Sequence, residues 1–84
     1  MAPRRQAALK ERLTALTDDL AEPGATHSVA LHSVGGHLTA TLHVTQPANK
    51  PLIEAHALAE AIERRLHASE GDLDRVVVHV EPPE

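Results

Sequence analysis

The sequence contains no cysteine, and it also lacks phenylalanine, tyrosine and tryptophan. Without cysteine the chain forms no disulfide and offers no thiolate, so any metal site must use histidine and carboxylate ligands. Without aromatic side chains, the hydrophobic core has to be built from leucine, valine, isoleucine and alanine. A metal ion or a second subunit is therefore what remains to reinforce so small a domain.

Long apolar segments are missing as well. No run of 18 apolar residues is present, so we expect no membrane-spanning helix and no direct insertion into a membrane. The N-terminus lacks the apolar stretch of a signal peptide, which favours a cytoplasmic location. The formal net charge of −4 at pH 7 argues against a nucleic-acid partner.

Histidine is the residue type that is unusually frequent. Seven of the 84 residues are histidines, and imidazole is the commonest protein ligand for transition metals. A domain of this length buries only about 60–65% of its unfolded surface, so its core is thin. Because histidine is also a common surface residue, the position of each one in the fold has to distinguish ligands from solvated side chains.

An amphipathic helix is predicted for residues 4–21. Its leucines recur at spacings of four, three and four residues and form one apolar stripe: Leu9, Leu13, Leu16 and Leu20. Basic residues come early in this segment and acidic residues late, which opposes the helix dipole, so we expect the first turn to fray. Pro23 and Gly24 end the helix.

Two strands joined by a tight hairpin are predicted at residues 27–34 and 37–44. The Gly-Gly pair at 35–36 suits a two-residue turn with positive φ. The second strand alternates regularly and places its apolar side chains on one face: Leu38, Ala40, Leu42 and Val44. This turn position predicts that Val29 pairs with Leu42 and that Leu31 pairs with Ala40.

A second helix is predicted from Pro51 to the residues before Gly71, followed by a third strand at 75–81. The expected buried stripe of this helix is Leu52, Ala55, Ala59, Ile62 and Leu66. The predicted fold is α+β and ferredoxin-like, with the order α-β-β-α-β and two helices on one face of a three-stranded mixed sheet. We expect a single domain over residues 1–84, with residues 1–5 frayed.

This topology gathers potential metal ligands at one end of the sheet. Neighbouring parallel strands bring their C-terminal ends together, so His43 and His79 are expected side by side, about 4.8 Å apart. Glu81 shares the face of His79. The start of the second helix brings His56 to the same end, and His27 lies at the start of the first strand. The other histidines are expected to be solvated: His32, His37 and His67.

The direction of the His27 side chain stays open on sequence grounds. Strict alternation puts it on the core face with Val29, whereas His43 and His79 lie on the open face. A strand end or a β-bulge would rotate it toward them. His56 borders the apolar stripe of its helix, so a half-buried helix residue and a ligand that reaches across a dimer interface are both open alternatives.

The order and spacing of several short motifs resemble the cytoplasmic C-terminal domain of cation diffusion facilitator transporters. The resemblance covers roughly residues 6–83, and its motifs are His27-Ser28-Val29, Gly35-Gly36, Leu42-His43-Val44, Glu54-Ala55-His56 and Val78-His79-Val80-Glu81-Pro82. It implies a metallochaperone-like α-β-β-α-β fold and a V-shaped homodimer. It also implies that divalent metal binds at and near the dimer interface, tightens the dimer and promotes transport.

Carried over to this sequence, the family's metal ligands fall on His27, His43, His56 and His79. Glu81 stands where the zinc-transporting members often carry an aspartate, so the carboxylate arm is one methylene longer here. The resemblance implies Zn²⁺, or another divalent transition metal such as Cd²⁺, Ni²⁺, Co²⁺ or Cu²⁺, as the bound ion. It implies a second copy of the chain as a partner, with a membrane transporter as a further expected partner.

The predicted function is therefore a cytosolic, homodimerising regulatory domain that senses divalent metal, without enzymatic activity, since no candidate nucleophile or lid loop accompanies the histidines. Three alternatives stay open. The domain could dimerise without metal, it could be a ferredoxin-like domain that binds a small molecule in a cleft, or it could be a metallochaperone, although soft metals would call for cysteines. Whether the chain is a domain of a transporter or a stand-alone relative is also open.

Overall fold

The computed structural model describes residues 2–84, and the element order is α-β-β-α-β, as predicted. Met1, the first of the residues expected to fray, lies outside the described residues. The elements are α1 (Pro3–Leu20), β1 (Thr26–Val34), β2 (His37–Thr45), α2 (Leu52–Ser69) and β3 (Leu73–Glu81). The third strand thus starts two residues earlier than predicted.

The three strands form one mixed sheet in the order β1-β2-β3. β1 and β2 are antiparallel, and the predicted pairs of Val29 with Leu42 and Leu31 with Ala40 are confirmed. The turn between them is made by Gly35 and Gly36, whose φ angles of 57° and 82° lie in the left-handed region that glycine adopts without steric cost. β3 runs parallel to β2, so the C-terminal ends of both strands meet at one edge.

Both helices cover the same face of the sheet and enclose the core. The central strand supplies Ala40, Leu42 and Val44, whose exposed fractions are all 0%. From α1, Leu9 and Leu13 are buried, and Leu16 and Leu20 pack partly buried against them, which confirms the predicted stripe. The opposite face of β2 carries threonine and histidine, so the sheet has one apolar and one polar side.

The predicted stripe of α2 is wrong at its first position. Leu52 is 85% exposed, and its neighbour Ile53 is 79% exposed. Ile62 and Leu66 are fully buried, and Leu58, which the prediction omitted, packs against the core. α2 packs on β3 and α1, and its fully buried residues lie in its second half. The first turn therefore extends past the core and leaves two large apolar side chains in solvent.

Candidate metal centre

A β-bulge decides the direction of His27. Thr26 pairs with Val44 and Ser28 pairs with His43, so His27 is the extra residue between two consecutive pairs. A bulge interrupts the alternation of side chains along a strand. In this strand it lets His27 join the open face, where its ring centroid lies 5.7 Å from that of His43. Of the two predicted directions, the one that required a bulge is confirmed.

His27, His43 and Glu81 converge on one small volume. The Nε2 atom of His27 lies 2.8 Å from Oε1 of Glu81, and the Nδ1 atom of His43 lies 3.3 Å from the same oxygen. One ligand atom from each of the three residues falls within 4.8 Å of the others. We call these three residues the sheet-end cluster. Among residues 2–84 it is the one group of three or more potential ligands that meets this distance.

The ends of the strands hold the carboxylate in place. Gln46, directly after β2, donates its backbone N–H to the carbonyl of Glu81 at 2.9 Å. Thr45, the last residue of β2, pairs with Glu81 in the parallel register. The backbone of the ligand at the end of β3 is therefore tied to the central strand. Pro82 and Pro83 follow, and they line an open groove beside the cluster together with His27.

The two imidazoles favour the charged form of Glu81. Desolvation raises the pKa of the Glu81 carboxyl, but hydrogen bonding and charge interactions with His43, and then with His27, outweigh it and lower the pKa below its ordinary value. The side chains of His27, His43 and Glu81 are 46%, 36% and 40% exposed, respectively. The cluster is thus an ionised carboxylate between two imidazoles, open to ions from solution.

His79 lies next to the cluster and does not contribute one of its three converging atoms. It pairs with His43 across the parallel strands, as predicted. Their rings stack at a centroid separation of 4.9 Å and an interplanar angle of 28°. The imidazole of His79 therefore lies beside that of His43, at the border of the cluster.

The structure does not bring His56 to the cluster within one chain. Its side chain is 73% exposed, and Nε2 lies 3.0 Å from Oε1 of Glu60, one helical turn later in α2. Of the two alternatives for His56, the half-buried helix position is wrong, because the first turns of α2 project beyond the core.

The remaining histidines lie elsewhere, as the topology predicts. His37 sits beside the hairpin turn, where Nδ1 lies 3.5 Å from Oδ2 of Asp74. His32 and His67 are exposed. Asp74 also accepts a hydrogen bond from the backbone N–H of Leu38 at 2.8 Å. This hydrogen bond lies at the start of the β2–β3 pairing, where the register shifts.

Sequence inspection missed Thr45 as part of the site. Its Oγ1 lies 3.0 Å from Nδ1 of His27, on the ring edge opposite to the nitrogen that faces Glu81. The available signal was the parallel register, which pairs Thr45 with Glu81. The register predicts a contact between Thr45 and the site only if the bulge places His27 on the same face.

The chemistry of this donor set fits a divalent transition metal. Zinc binds imidazole nitrogen and carboxylate oxygen at about 2.0–2.2 Å, and tetrahedral ligands are then separated by roughly 3.3 Å. The separation of 3.3 Å between Glu81 and His43 matches this value, whereas the 2.8 Å between Glu81 and His27 is a hydrogen-bond distance that would have to lengthen. Two neutral imidazoles and one carboxylate would hold the ion, and thiolate ligands are absent from the sequence.

Solved structures with the same fold include two whose names mention a metal. A MamM CTD variant is 14% identical, covers 96% of both chains and gives a TM-score of 0.84. A zinc form of another MamM CTD variant is 15% identical, covers 96% of this chain and 89% of that chain, and gives a TM-score of 0.84. A cadmium form is 17% identical, covers 95% and 99% of the two chains, and gives a TM-score of 0.81. At these identities the likeness establishes the fold.

The sequence itself matches the family described as "Cation efflux protein, cytoplasmic domain" (ZT_dimer) over residues 8–83. No curated protein matches it. Neither helix within residues 2–84 combines the length and the apolar character required to cross a membrane. The match spans nearly the whole chain, and the fold and the order of the strand-end motifs agree with it. This chain therefore belongs to the family of cytoplasmic domains of cation efflux proteins.

Proposed function

We propose that this chain is a cytoplasmic, homodimeric module that binds a divalent transition metal, zinc in the first place, and regulates a cation efflux transporter in response to that metal. The ligands in this proposal are His27, His43, His79 and Glu81 of one chain, with His56 supplied by the second copy. The observation that carries the proposal is the convergence of two imidazole nitrogens and one carboxylate oxygen within 4.8 Å.

The surface of α2 supports the role proposed for a second copy. His56 lies outside the sheet-end cluster and projects into solvent beside Leu52 and Ile53, which are 85% and 79% exposed. Two exposed large apolar side chains beside an exposed imidazole suit an interface that buries the apolar side chains and uses the imidazole as a ligand.

Metal sensing would follow from the coupling between the ion and the interface. A ligand that binds the dimer more tightly than the monomer stabilises the dimer by mass action. A site whose ligands come from two copies has this property, because separation of the copies removes a ligand. The family match and the solved zinc and cadmium forms with the same fold support this assignment.

Isothermal titration calorimetry with zinc at pH 8 tests the proposal. We expect saturable binding in the wild-type protein and its loss in His43→Ala. The matched control is His37→Ala, which removes an exposed histidine from the other end of the same strand and should bind as the wild type does. Sedimentation velocity with and without zinc should show a dimer that the metal strengthens.

Two outcomes would contradict the proposal. Equal zinc binding by the wild type and His43→Ala would remove the sheet-end cluster as the site. A dimer that forms without measurable zinc binding would favour the alternative, a metal-independent dimerisation module of the same fold.

A further inference from the structure

Thr45, the last residue of β2, contacts the ring of His27. Its Oγ1 lies 3.0 Å from Nδ1 of His27, while Nε2 of the same ring lies 2.8 Å from Oε1 of Glu81. Both nitrogens of this imidazole therefore have a partner, one on each edge of the ring. Thr45 lies outside the motifs that resemble the family, and the three converging ligand atoms belong to His27, His43 and Glu81.

We propose that Thr45 is a positioning residue for the metal site. Its hydroxyl holds the ring of His27 so that Nε2 faces Glu81 and His43 whether or not a metal is bound. This inference rests on the proposed function only in so far as His27 is a ligand.

The hydroxyl suits this role because it both donates and accepts hydrogen bonds. A carboxylate oxygen only accepts, so a neutral His27 ring that donates to Glu81 through Nε2 would accept from the Thr45 hydroxyl at Nδ1. If a metal took Nε2, the ring hydrogen would reside on Nδ1 and would be donated to the same hydroxyl oxygen. The hydroxyl reverses its direction by rotation of one hydrogen, and no heavy atom has to move.

The backbone keeps this hydroxyl in place. The N–H of Thr45 donates to the carbonyl of Ala25 at 2.9 Å, directly before β1, and Thr45 pairs with Glu81 on the other side. Threonine is β-branched, so its χ1 angle is restricted. Thr45 is therefore anchored to the strands on both sides of it, including the strand that carries His27.

His27 needs such an anchor more than His43 does. It is the extra residue of a bulge at the sheet edge, and its side chain is 46% exposed. His43 lies in the central strand, with His79 stacked on its ring at 4.9 Å. An unanchored edge imidazole would lose its rotamer freedom only on binding the metal, which lowers the affinity.

The test compares Thr45→Val, which keeps the branched shape and removes the hydroxyl, with Thr45→Ser, which keeps the hydroxyl. Loss of an outer hydrogen-bond partner of a ligating histidine typically weakens metal binding about 10–100-fold. We expect zinc calorimetry to show a loss in this range for Thr45→Val and a return to within about threefold of the wild type for Thr45→Ser.

A spectroscopic signature separates positioning from a general effect on folding. In ¹⁵N-labelled protein, the Nδ1–H resonance of His27 should be observable in the zinc-bound wild type and in Thr45→Ser. It should be broadened by exchange with water in Thr45→Val, because the hydrogen then has no protein acceptor. The melting temperature of metal-free Thr45→Val should stay close to that of the wild type.

The outcomes distinguish this inference from the proposed function. If wild-type zinc binding depends on His43 but Thr45→Val binds zinc as tightly as the wild type, the role of Thr45 is overturned and the proposed function stands. Equal losses in Thr45→Val and Thr45→Ser would also overturn it, since the hydroxyl would then be irrelevant. Zinc binding that does not depend on His43 would overturn both.

Discussion

Zinc should raise the melting temperature of this domain in a way that depends on which end of the sheet carries the substituted histidine. A ligand that binds only the folded state stabilises it by about 2.7 kcal/mol at a free concentration of one hundred times its dissociation constant. For a domain of 60–100 residues, each 1 kcal/mol shifts the melting temperature by roughly 4–8 °C. For this chain of 84 residues, the expected rise is therefore about 10–20 °C.

The proposed ligand set predicts which side chains this rise depends on. His43→Ala removes a converging ligand atom from the central strand and should abolish most of the rise. His79→Ala removes the ring stacked on His43 at 4.9 Å and, in the proposed ligand set, a fourth donor, so it should reduce the rise strongly. His37→Ala should leave the rise intact, because His37 lies beside the hairpin turn and contacts Asp74.

Thermal unfolding followed by circular dichroism, with and without zinc, is the assay. Each variant is compared with its own metal-free protein, so that any change in intrinsic stability cancels. An equal loss of the zinc-induced rise in His37→Ala and His43→Ala would refute the placement of the site at the C-terminal ends of β2 and β3. A rise of the same size in the wild type and His43→Ala would place the bound zinc elsewhere on the protein.

Other measurements test the remaining parts of the structure. Leu42→Ala should destabilise the metal-free fold by about 2–5 kcal/mol in urea, since this side chain is 0% exposed. Burial opposes ionisation of Asp18, but hydrogen bonds from Thr26 and Gly24 outweigh it and lower its pKa. The resulting stability is present above the unfolded-state pKa and is lost as pH falls through the folded-state pKa. Asp18→Asn should therefore cost about 1 kcal/mol at pH 7, and the difference from the wild type should shrink as pH falls through the folded-state pKa. Zinc affinity, measured by calorimetry, should be lower in acidic buffer than at pH 8, because protons compete with the metal for the imidazole nitrogens. Leu52→Asp should weaken the dimer in sedimentation without lowering monomer stability, because Leu52 is 85% exposed.

Local patterns in the sequence were sufficient for the elements and for most of the register. The leucine spacing in α1, the alternation in β2 and the Gly-Gly turn each depend on neighbours within a few residues. They therefore predicted the two helices, the hairpin and the pairing of Val29 with Leu42, all of which are confirmed. The parallel pairing of His43 with His79 followed from the short β-α-β connection, and it too is confirmed.

Tertiary structure decided two features: where the burial of α2 ends, and where the alternation of side chains in β1 is interrupted. Helical spacing alone placed Leu52 in the core, but burial ends where the packing of α2 on β3 and α1 ends, and Leu52 lies beyond that point. A β-bulge leaves one residue of the strand unpaired, and the alternation of residue types does not reveal where it occurs. The direction of the His27 side chain therefore follows only from the pairing of β1 with β2. The hydroxyl of Thr45 lies beside His27 only because of that bulge. Alternation along a strand relates residues two positions apart, whereas this contact joins residues 18 positions apart and depends on how the strands pair.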